Sequence, residues 1–214
     1  MRLTTSYEET FPAATLARYD FIETRQASRI LAATNPEQFS DVVAVMTAFA
    51  LDVESDILAA GGSQSHAAAR LNHAFRALGW KEASYSSTIR SKLILRAPGS
   101  AAIAQDEEQE VLSYNVDNVK GRVALDVEWH AKDGNLDRDI AAYRSCYDAE
   151  MIDCAVILTT SQSSLRAWVQ RLDSTSTKFS TTTTTNIEKA TPRLMRGDGG
   201  GCPILVAAIG ERTI

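Results

Sequence analysis

One stretch of the chain is too apolar to lie anywhere but in the interior of the molecule. It runs through Cys154-Ala155-Val156-Ile157-Leu158 to Thr159 without a charged residue. A short unbroken apolar run is typical of a central β-strand that is buried on both faces. The sequence therefore predicts a sheet flanked by helices, and the segments around this run indicate which kind of sheet it is.

Helices dominate the first part of the chain. Apolar residues at helical spacing predict one helix over residues 7–34 and a second over residues 36–60, which Gly61-Gly62 would end. Ser63-Gln64-Ser65 offers an N-terminal cap for a third helix over residues 66–78. We therefore expect a helical N-terminal part over residues 1–60.

Strands and helices alternate in the remaining part. The patterns predict strands at residues 83–90, 111–116, 123–129, 154–159 and 203–209, and helices at residues 136–148, 163–172 and 186–196. Residues 91–110 are expected to be irregular, with a turn at Pro98-Gly99 and exposed acids after it. These elements predict the α/β class, with a mixed central β-sheet, in one domain over residues 1–214 whose core and functional loops occupy residues 61–214.

The composition narrows the possible environments and partners. The three cysteines, Cys146, Cys154 and Cys202, match neither a disulfide framework nor a zinc site, which favours a reducing, cytoplasmic location. No apolar run is long enough to cross a bilayer, so a membrane partner is not expected. The net charge of −5 does not indicate nucleic-acid binding, but residues 161–200 carry six basic and three acidic side chains.

Three acids surround a short apolar run and form the candidate site. Asp126 and Glu128 are two residues apart, so in the strand predicted there their side chains point to the same face. Asp117 would lie beside them if its segment pairs with that strand. Three converging carboxylates repel one another unless a hard divalent cation such as Mg²⁺ binds them. The alternative is that all three are solvated acids on an edge strand.

The spacing of these acids resembles a known nuclease motif. Asp117-x₈-Asp126-Val127-Glu128 is similar to the PD-(D/E)XK motif, and residues 117–129 resemble the active-site segment of BglII/BstYI-type type II restriction endonucleases. Residues 71–82 are similar to the helix before the core sheet of those enzymes, and residues 199–206 resemble their C-terminal strand. The likeness implies a restriction-endonuclease-like core and residues 61–214 as catalytic core and DNA-recognition loops.

The resemblance also implies a chemistry. Asp117, Asp126 and the backbone carbonyl of Val127 would bind Mg²⁺, and Glu128 would accept a proton from the attacking water or bind a second metal. The expected reaction is Mg²⁺-dependent hydrolysis of double-stranded DNA at a palindromic site, leaving 5′-phosphate ends, by a homodimer in a restriction-modification system. The helices before Gly61 or over residues 136–148 could supply the dimer surface.

This chain departs from the common motif at two positions. The pattern prefers Glu where this chain has Asp126, and it ends in Lys or Gln where this chain has Glu128. Lys132 could replace the missing lysine or bind phosphate; the alternative is a solvated loop residue. The departure leaves two further functions open, which are a repair or recombination nuclease without sequence preference and a DNA-binding protein with a decayed active site.

Two segments are the best candidates for contacting DNA. One is the polar loop after the acidic strand, and the other is the Ser/Thr-rich tract with the basic helix that follows it, because hydroxyl and amide groups read base edges and cations bind phosphates. The alternative for the tract is a solvated loop that orders only on DNA. The candidate residues are His130, Lys132, Lys178, Ser180, Thr181, Thr182, Thr183, Thr184, Asn186, Arg193 and Arg196.

Overall fold

One mixed sheet forms the centre of the molecule. The computed structural model describes residues 1–58, 66–96, 98–181 and 183–214. Within these ranges six strands lie in the order β1-β6-β5-β4-β3-β2. They are β1 (Tyr19–Glu23), β2 (Lys81–Leu95), β3 (Ile103–Lys120), β4 (Val123–Glu128), β5 (Cys154–Thr160) and β6 (Ile204–Ile209). β4, β5 and β6 pair in parallel and are buried throughout, whereas β1, β2 and β3 pair antiparallel. The predicted α/β class and mixed sheet are confirmed.

Helices cover both faces of this sheet. They are α1 (Tyr7–Thr10), α2 (Ala13–Leu16), α3 (Ala27–Thr34), α4 (Pro36–Ala48), α5 (His66–Ala77), α6 (Gly134–Asp148), α7 (Gln162–Leu172) and α8 (Ile187–Arg196). The core cluster on one face includes Val123 and Leu125 of β4 with α3, α4, α5 and α7, and the cluster on the other includes Ala124 with α6 and α8. Successive side chains of β4 alternate between the faces. No helix in the described ranges is both long and apolar enough to cross a membrane.

The single helix expected over residues 7–34 is wrong. The segment contains α1, α2, β1 and α3, and the side chains of β1 alternate between buried and half-buried. Tyr19 lies opposite Ile209 and Glu23 opposite Leu205, so β1 pairs antiparallel with β6 and forms one edge of the sheet. The helical spacing of apolar residues in this stretch was misleading because long-range pairing with β6 overrides local periodicity.

The second predicted helix is shorter than expected. α4 ends at Ala48, because Phe49 takes an extended backbone with φ −72° and ψ 132°. Phe49 and Leu51 are buried, and the Leu51 amide donates to the carbonyl of Thr213 at 2.8 Å. A π-helical segment, Val53–Leu58, follows. The predicted stop at residues 61–62 and the predicted cap at residues 63–65 lie outside the described residues, whereas the third helix is confirmed as α5.

The stretch expected to be irregular, residues 91–110, is mostly β-structure. β2 and β3 pair antiparallel from Thr88 opposite Glu110 to Leu95 opposite Ile103, and Pro98 and Gly99 lie in the turn, as predicted. The acids after the turn are exposed, also as predicted. Oppositely charged residues face each other across the strands, Arg90 opposite Glu108 and Lys92 opposite Asp106, and such cross-strand pairs stabilise a sheet. We call residues 87–95 and 103–111 the ribbon.

A buried carboxylate fixes the edge strand β1 to the N-terminal helices. Glu23 is fully buried, and its Oε1 accepts hydrogen bonds from the amide and hydroxyl of Ser6 and from the hydroxyl of Thr4. Its Oε2 accepts from the amide and hydroxyl of Ser28 at 2.8 and 2.7 Å. A buried charge is tolerated only when it is this fully hydrogen-bonded.

We expect Glu23→Gln to lower the free energy of unfolding by about 2–4 kcal/mol, because the new amide group would face donors that need an acceptor. Urea denaturation followed by circular dichroism measures this change. Glu8→Gln, at an exposed position in α1, is the control and should change stability by less than about 0.5 kcal/mol. Equal losses in the two variants would contradict the anchoring role of Glu23.

Candidate active site

A bulge in β3 brings the first acid to the second. Between the pairs Lys81–Val119 and Ala83–Val116, β3 advances three residues while β2 advances two, so β3 contains one extra residue. Bulges of this kind re-aim side chains and free backbone groups from the ladder. The amide of Asp117, inside the bulge, donates a hydrogen bond to Oδ1 of Asp126 at 2.7 Å. The bulge therefore joins the two acids that the sequence separates by nine positions.

Asp126 is held on both of its oxygens. Its side chain is 4% exposed, on the face of β4 that packs against α6. Oδ2 accepts a hydrogen bond from the hydroxyl of Tyr143 in α6, a residue that is itself fully buried. Oδ2 of Asp117 accepts a hydrogen bond from the amide of Val127 at 3.4 Å. The carboxylate of Asp126 thus bonds to the backbone of β3, and the carboxylate of Asp117 bonds to the backbone of β4.

Glu128 lies two residues further along the same face and meets a fourth acid. Asp139 of α6 is 1% exposed, and its carboxyl group is within hydrogen-bonding reach of that of Glu128. Arg138 contacts Oδ1 of Asp139 at 3.2 Å. Among the described residues, Oε2 of Glu128 and Oδ2 of Asp139 are buried without a hydrogen-bond partner. In the part of the chain that the structure describes, the site thus contains four carboxyl groups and one adjacent guanidinium.

Asp139 is not among the site residues that the sequence predicts, although the sequence contains a signal for it. In α6 the residues that face the core are spaced three or four apart, as Leu136, Ile140 and Tyr143 are. Asp139 occupies a position of this buried face, where a carboxylate is rarely found unless it is paired. A charged residue on the apolar face of a helix that follows an acidic strand is thus a pointer to the site.

Burial and mutual repulsion shape the electrostatics of the site. Desolvation raises the pKa of Asp126, Glu128 and Asp139, and the negative charge of Asp139 raises the pKa of Asp126 further. Tyr143 also has a pKa well above its usual value, so its hydroxyl remains a donor. A divalent cation among these groups would oppose both effects and favour the ionised carboxylates.

The residues present fit an oxygen-binding cation. The donors are carboxylates, the ligands that Mg²⁺ prefers, and two of their oxygens are buried with no hydrogen-bond partner among the described residues. Within the described ranges, however, no three His, Cys, Asp or Glu side chains form a ready-made metal site. Asp126 illustrates why the acids are not already arranged as metal ligands, since both of its carboxylate oxygens accept hydrogen bonds from the protein. The roles assigned to Asp117, Asp126 and the Val127 carbonyl stay predictions.

The polar loop after β4 is fixed to the end of the acidic strand. The carbonyl of Glu128 accepts hydrogen bonds from the hydroxyls of Thr159 at 2.9 Å and Thr185 at 3.0 Å. His130 adopts a left-handed backbone with φ 54°, and its ring packs on Phe179 with centroids 4.7 Å apart. Burial lowers the pKa of His130 to about 4. At neutral pH the His130 imidazole is therefore uncharged.

The Ser/Thr tract packs along this loop. Lys132 forms an antiparallel bridge with Thr184, and the amide of Asp133 donates to the carbonyl of Thr183 at 2.9 Å. Ser180 donates to the carbonyl of Thr177, and the hydroxyls of Thr181 and Thr184 are 3.2 Å apart. Thr182 lies outside the described residues. The tract is thus paired with the loop that follows the acids, rather than separate from it.

Several predicted DNA-binding side chains already have partners within the chain. Lys178 donates to the carbonyls of Ile57 and Leu58, and Asn186 is buried and caps α8 by accepting from the amide of Lys189. Arg193 is paired with Asp137 at 2.7 Å, and Arg196 with Asp198. DNA would have to compete with these contacts. The DNA-binding roles of these residues stay predictions.

Comparison with known proteins places the chain in a family. The family model described as restriction endonuclease BglII/BglIII matches residues 19–209, from the first residue of β1 to the last residue of β6. No curated protein matches the chain. Because the model covers most of the 214 residues, the chain belongs to the BglII/BglIII family of restriction endonucleases and is a site-specific deoxyribonuclease.

Proposed function

We propose that this endonuclease hydrolyses double-stranded DNA with Mg²⁺ bound by Asp117, Asp126 and the carbonyl of Val127, and with Glu128 acting on the attacking water. The observation that carries the proposal is the convergence of the three acids through the bulge in β3. The family's activity is site-specific cleavage, which favours this function over a repair nuclease without sequence preference.

The acids would divide the chemistry between them. Mg²⁺, when bound, would neutralise charge on the phosphate and make the attacking water more acidic. Asp117 and Asp126 would hold the cation, and the hydrogen bonds from the Asp117 amide and the Tyr143 hydroxyl keep Asp126 in place. Glu128, whose pKa is raised by burial, accepts the proton of the water that attacks phosphorus. The bond from phosphorus to the 3′ oxygen breaks, solvent water protonates that oxygen, and the products are a 5′-phosphate and a 3′-hydroxyl.

Glu128→Gln should lower the cleavage rate by about 10²–10⁴-fold, the usual loss when a general base is removed. DNA affinity should stay within about threefold of wild type, because Gln keeps the size of the side chain and adds no charge that repels phosphate. Single-turnover cleavage of plasmid DNA in Mg²⁺ and binding in Ca²⁺ measure the two effects. Asp148→Asn, at the exposed end of α6, is the control and should cleave normally. A Glu128→Gln protein that cuts at the wild-type rate would rule out this role.

Removal of the cation provides a second test. Wild-type protein in EDTA should give no cleavage, and Mg²⁺ should restore it, because the site is built from acids and a phosphate there is not neutralised unless a cation is bound. Asp126→Asn should remain inactive at every Mg²⁺ concentration. Sequencing the ends of fragments from genomic DNA should show 5′-phosphates and the same palindrome around each cut. Fragments without a common sequence would contradict the palindromic site.

The ribbon supports a homodimer. One of its faces carries Ile89, Leu93, Leu95 and Ile103, which are 47–63% exposed, and the opposite face carries the charged cross-strand pairs. A two-stranded ribbon is marginally stable in water, and exposed apolar patches mark interaction sites. Residues 87–111 contain four acids and three basic residues, so phosphate is a poor partner. A second copy of the same face, related by a two-fold axis, would cover the apolar side chains of both.

Leu93→Glu should therefore convert a dimer into a monomer, because it places charge in the middle of that face. Sedimentation velocity at micromolar concentration measures the oligomeric state. Met151→Glu is the matched control, because Met151 and Leu93 are both 56% exposed and Met151 lies far along the chain, after α6. A wild-type monomer, or a Leu93→Glu dimer, would contradict the proposed role of the ribbon.

A further inference from the structure

The backbone carbonyl of Glu128 accepts hydrogen bonds from two hydroxyl groups that belong to different parts of the chain. Thr159 donates to it at 2.9 Å, and Thr185 donates to it at 3.0 Å. Both threonines are fully buried, and Glu128 itself is 5% exposed. Buried hydrogen bonds from neighbouring residues hold a functional side chain in its productive orientation. The orientation of Glu128 therefore depends on two separate segments.

These two threonines differ in the segments that carry them. Thr159 lies directly opposite Glu128 in the parallel pairing of β4 with β5, so its position is fixed by the central sheet. Thr185 is the last residue of the Ser/Thr tract and immediately precedes Asn186, which caps α8. Of the two hydroxyls, only that of Thr185 therefore links Glu128 to the tract.

Thr185 is bonded through its amide and its carbonyl as well as through its hydroxyl. Its amide donates to the carbonyl of Ala131, in the loop after β4, at 2.8 Å. Its carbonyl accepts a hydrogen bond from the hydroxyl of Thr160 at 3.1 Å. Thr185 thus lies between the loop after β4 and the end of β5, and it cannot shift without disturbing the end of the acidic strand.

The preceding part of the tract is open on one side. Thr181 and Thr183 are exposed, although they are only a few residues from the buried Thr185. Ser180 and Thr181 border a cavity of about 430 Å³ that residues of α7 also line. Exposed hydroxyl groups can contact bases and phosphates. The tract is therefore one short segment with an end that can meet DNA and an end that contacts Glu128.

We propose that Thr185 is a positioning residue that makes the action of Glu128 depend on the sequence of the bound DNA. A tract that is seated on the correct bases keeps the hydrogen bond of Thr185, and Glu128 stays aligned with the attacking water. A wrong base that displaces the tract withdraws this hydroxyl and leaves the one from Thr159. A misplacement of about 1 Å costs an enzyme about 10²-fold in rate, so the correct sequence is selected during cleavage as well as during binding. This inference rests on the proposed role of Glu128.

The test compares Thr185→Val with Thr159→Val, because each variant removes one hydroxyl from the same carbonyl. Single-turnover cleavage in Mg²⁺ with saturating protein is measured on the cognate site and on sites with one changed base pair. Thr185→Val should slow cleavage of the cognate site by about 10–100-fold and that of changed sites by less than about threefold, so that discrimination falls. Thr159→Val should slow both by the same factor and keep the discrimination of the wild type.

Two further measurements separate positioning from a general structural effect. Thr185→Ser keeps the hydroxyl donor, so it should cleave within about threefold of the wild-type rate and retain discrimination. DNA affinity of Thr185→Val in Ca²⁺ should stay within about threefold of wild type, because the lost hydroxyl is buried and contacts Glu128. Equal slowing of all sites by Thr185→Val, or an unchanged rate on the cognate site, would overturn the proposal.

Circular dichroism checks that the variants fold. Should Thr185→Val not fold, Thr160→Val takes its place, because it releases the carbonyl of Thr185 from β5 while leaving both hydroxyls on Glu128. It must then show the same loss of discrimination on the cognate and changed sites. Wild-type discrimination in Thr160→Val would count against the positioning role.

Glu128→Gln distinguishes failure of this inference from failure of the proposed function. If Glu128→Gln is slow while Thr185→Val cuts the cognate site at the wild-type rate, the proposed function stands and the positioning role fails. If Glu128→Gln cuts at the wild-type rate, the proposed function fails. A loss of discrimination in Thr185→Val would then show that the tract controls cleavage through another group, which would overturn the inference as stated.

Discussion

The burial of Asp126 in the middle of the sheet requires a hydrogen bond to each of its oxygens. One donor is an amide that the bulge in β3 releases, and the other is the hydroxyl of Tyr143 from α6. Leaving either oxygen without a partner would cost about 1–3 kcal/mol or more for a charged group. The register of β3 on β4 and the position of α6 on the sheet therefore depend on this one carboxylate.

The same constraint explains where the site lies. Residues of β4 alternate between two cores, and on the α6 face the series runs from Ala124 to Asp126 and Glu128. Apolar packing thus gives way to acids toward the C-terminal end of a parallel strand, where sheets of this kind place their ligands. At that end of β4, the hydroxyls of Thr159 and Thr185 donate hydrogen bonds to the carbonyl of Glu128. These bonds hold the backbone in place where the acids converge.

The sequence predicted the parallel strands and most helices, because their apolar patterns match the environment of each element. The sequence-based prediction was wrong where pairing between distant segments decides the structure. Residues 19–23 form the strand β1 because they pair with β6. The ribbon forms because residues 103–111 extend β3 along β2. The spacing of the three acids predicted that they lie together, and the bulge in β3 brings Asp117 to Asp126, while their catalytic roles stay predictions. Asp139 was missed because its role depends on how α6 packs against β4, which periodicity alone does not reveal.

The motif's unusual final residue has an electrostatic consequence. Many enzymes with this motif have a lysine where this chain has Glu128, and here that position holds a buried acid. The described ion pair at the four acids is the one between Asp139 and the half-exposed Arg138. Positive charge from the protein is therefore scarce where phosphate must approach. On the proposed function, the cation must supply both the missing positive charge and the chemistry, so its binding is linked to ionisation of the buried acids.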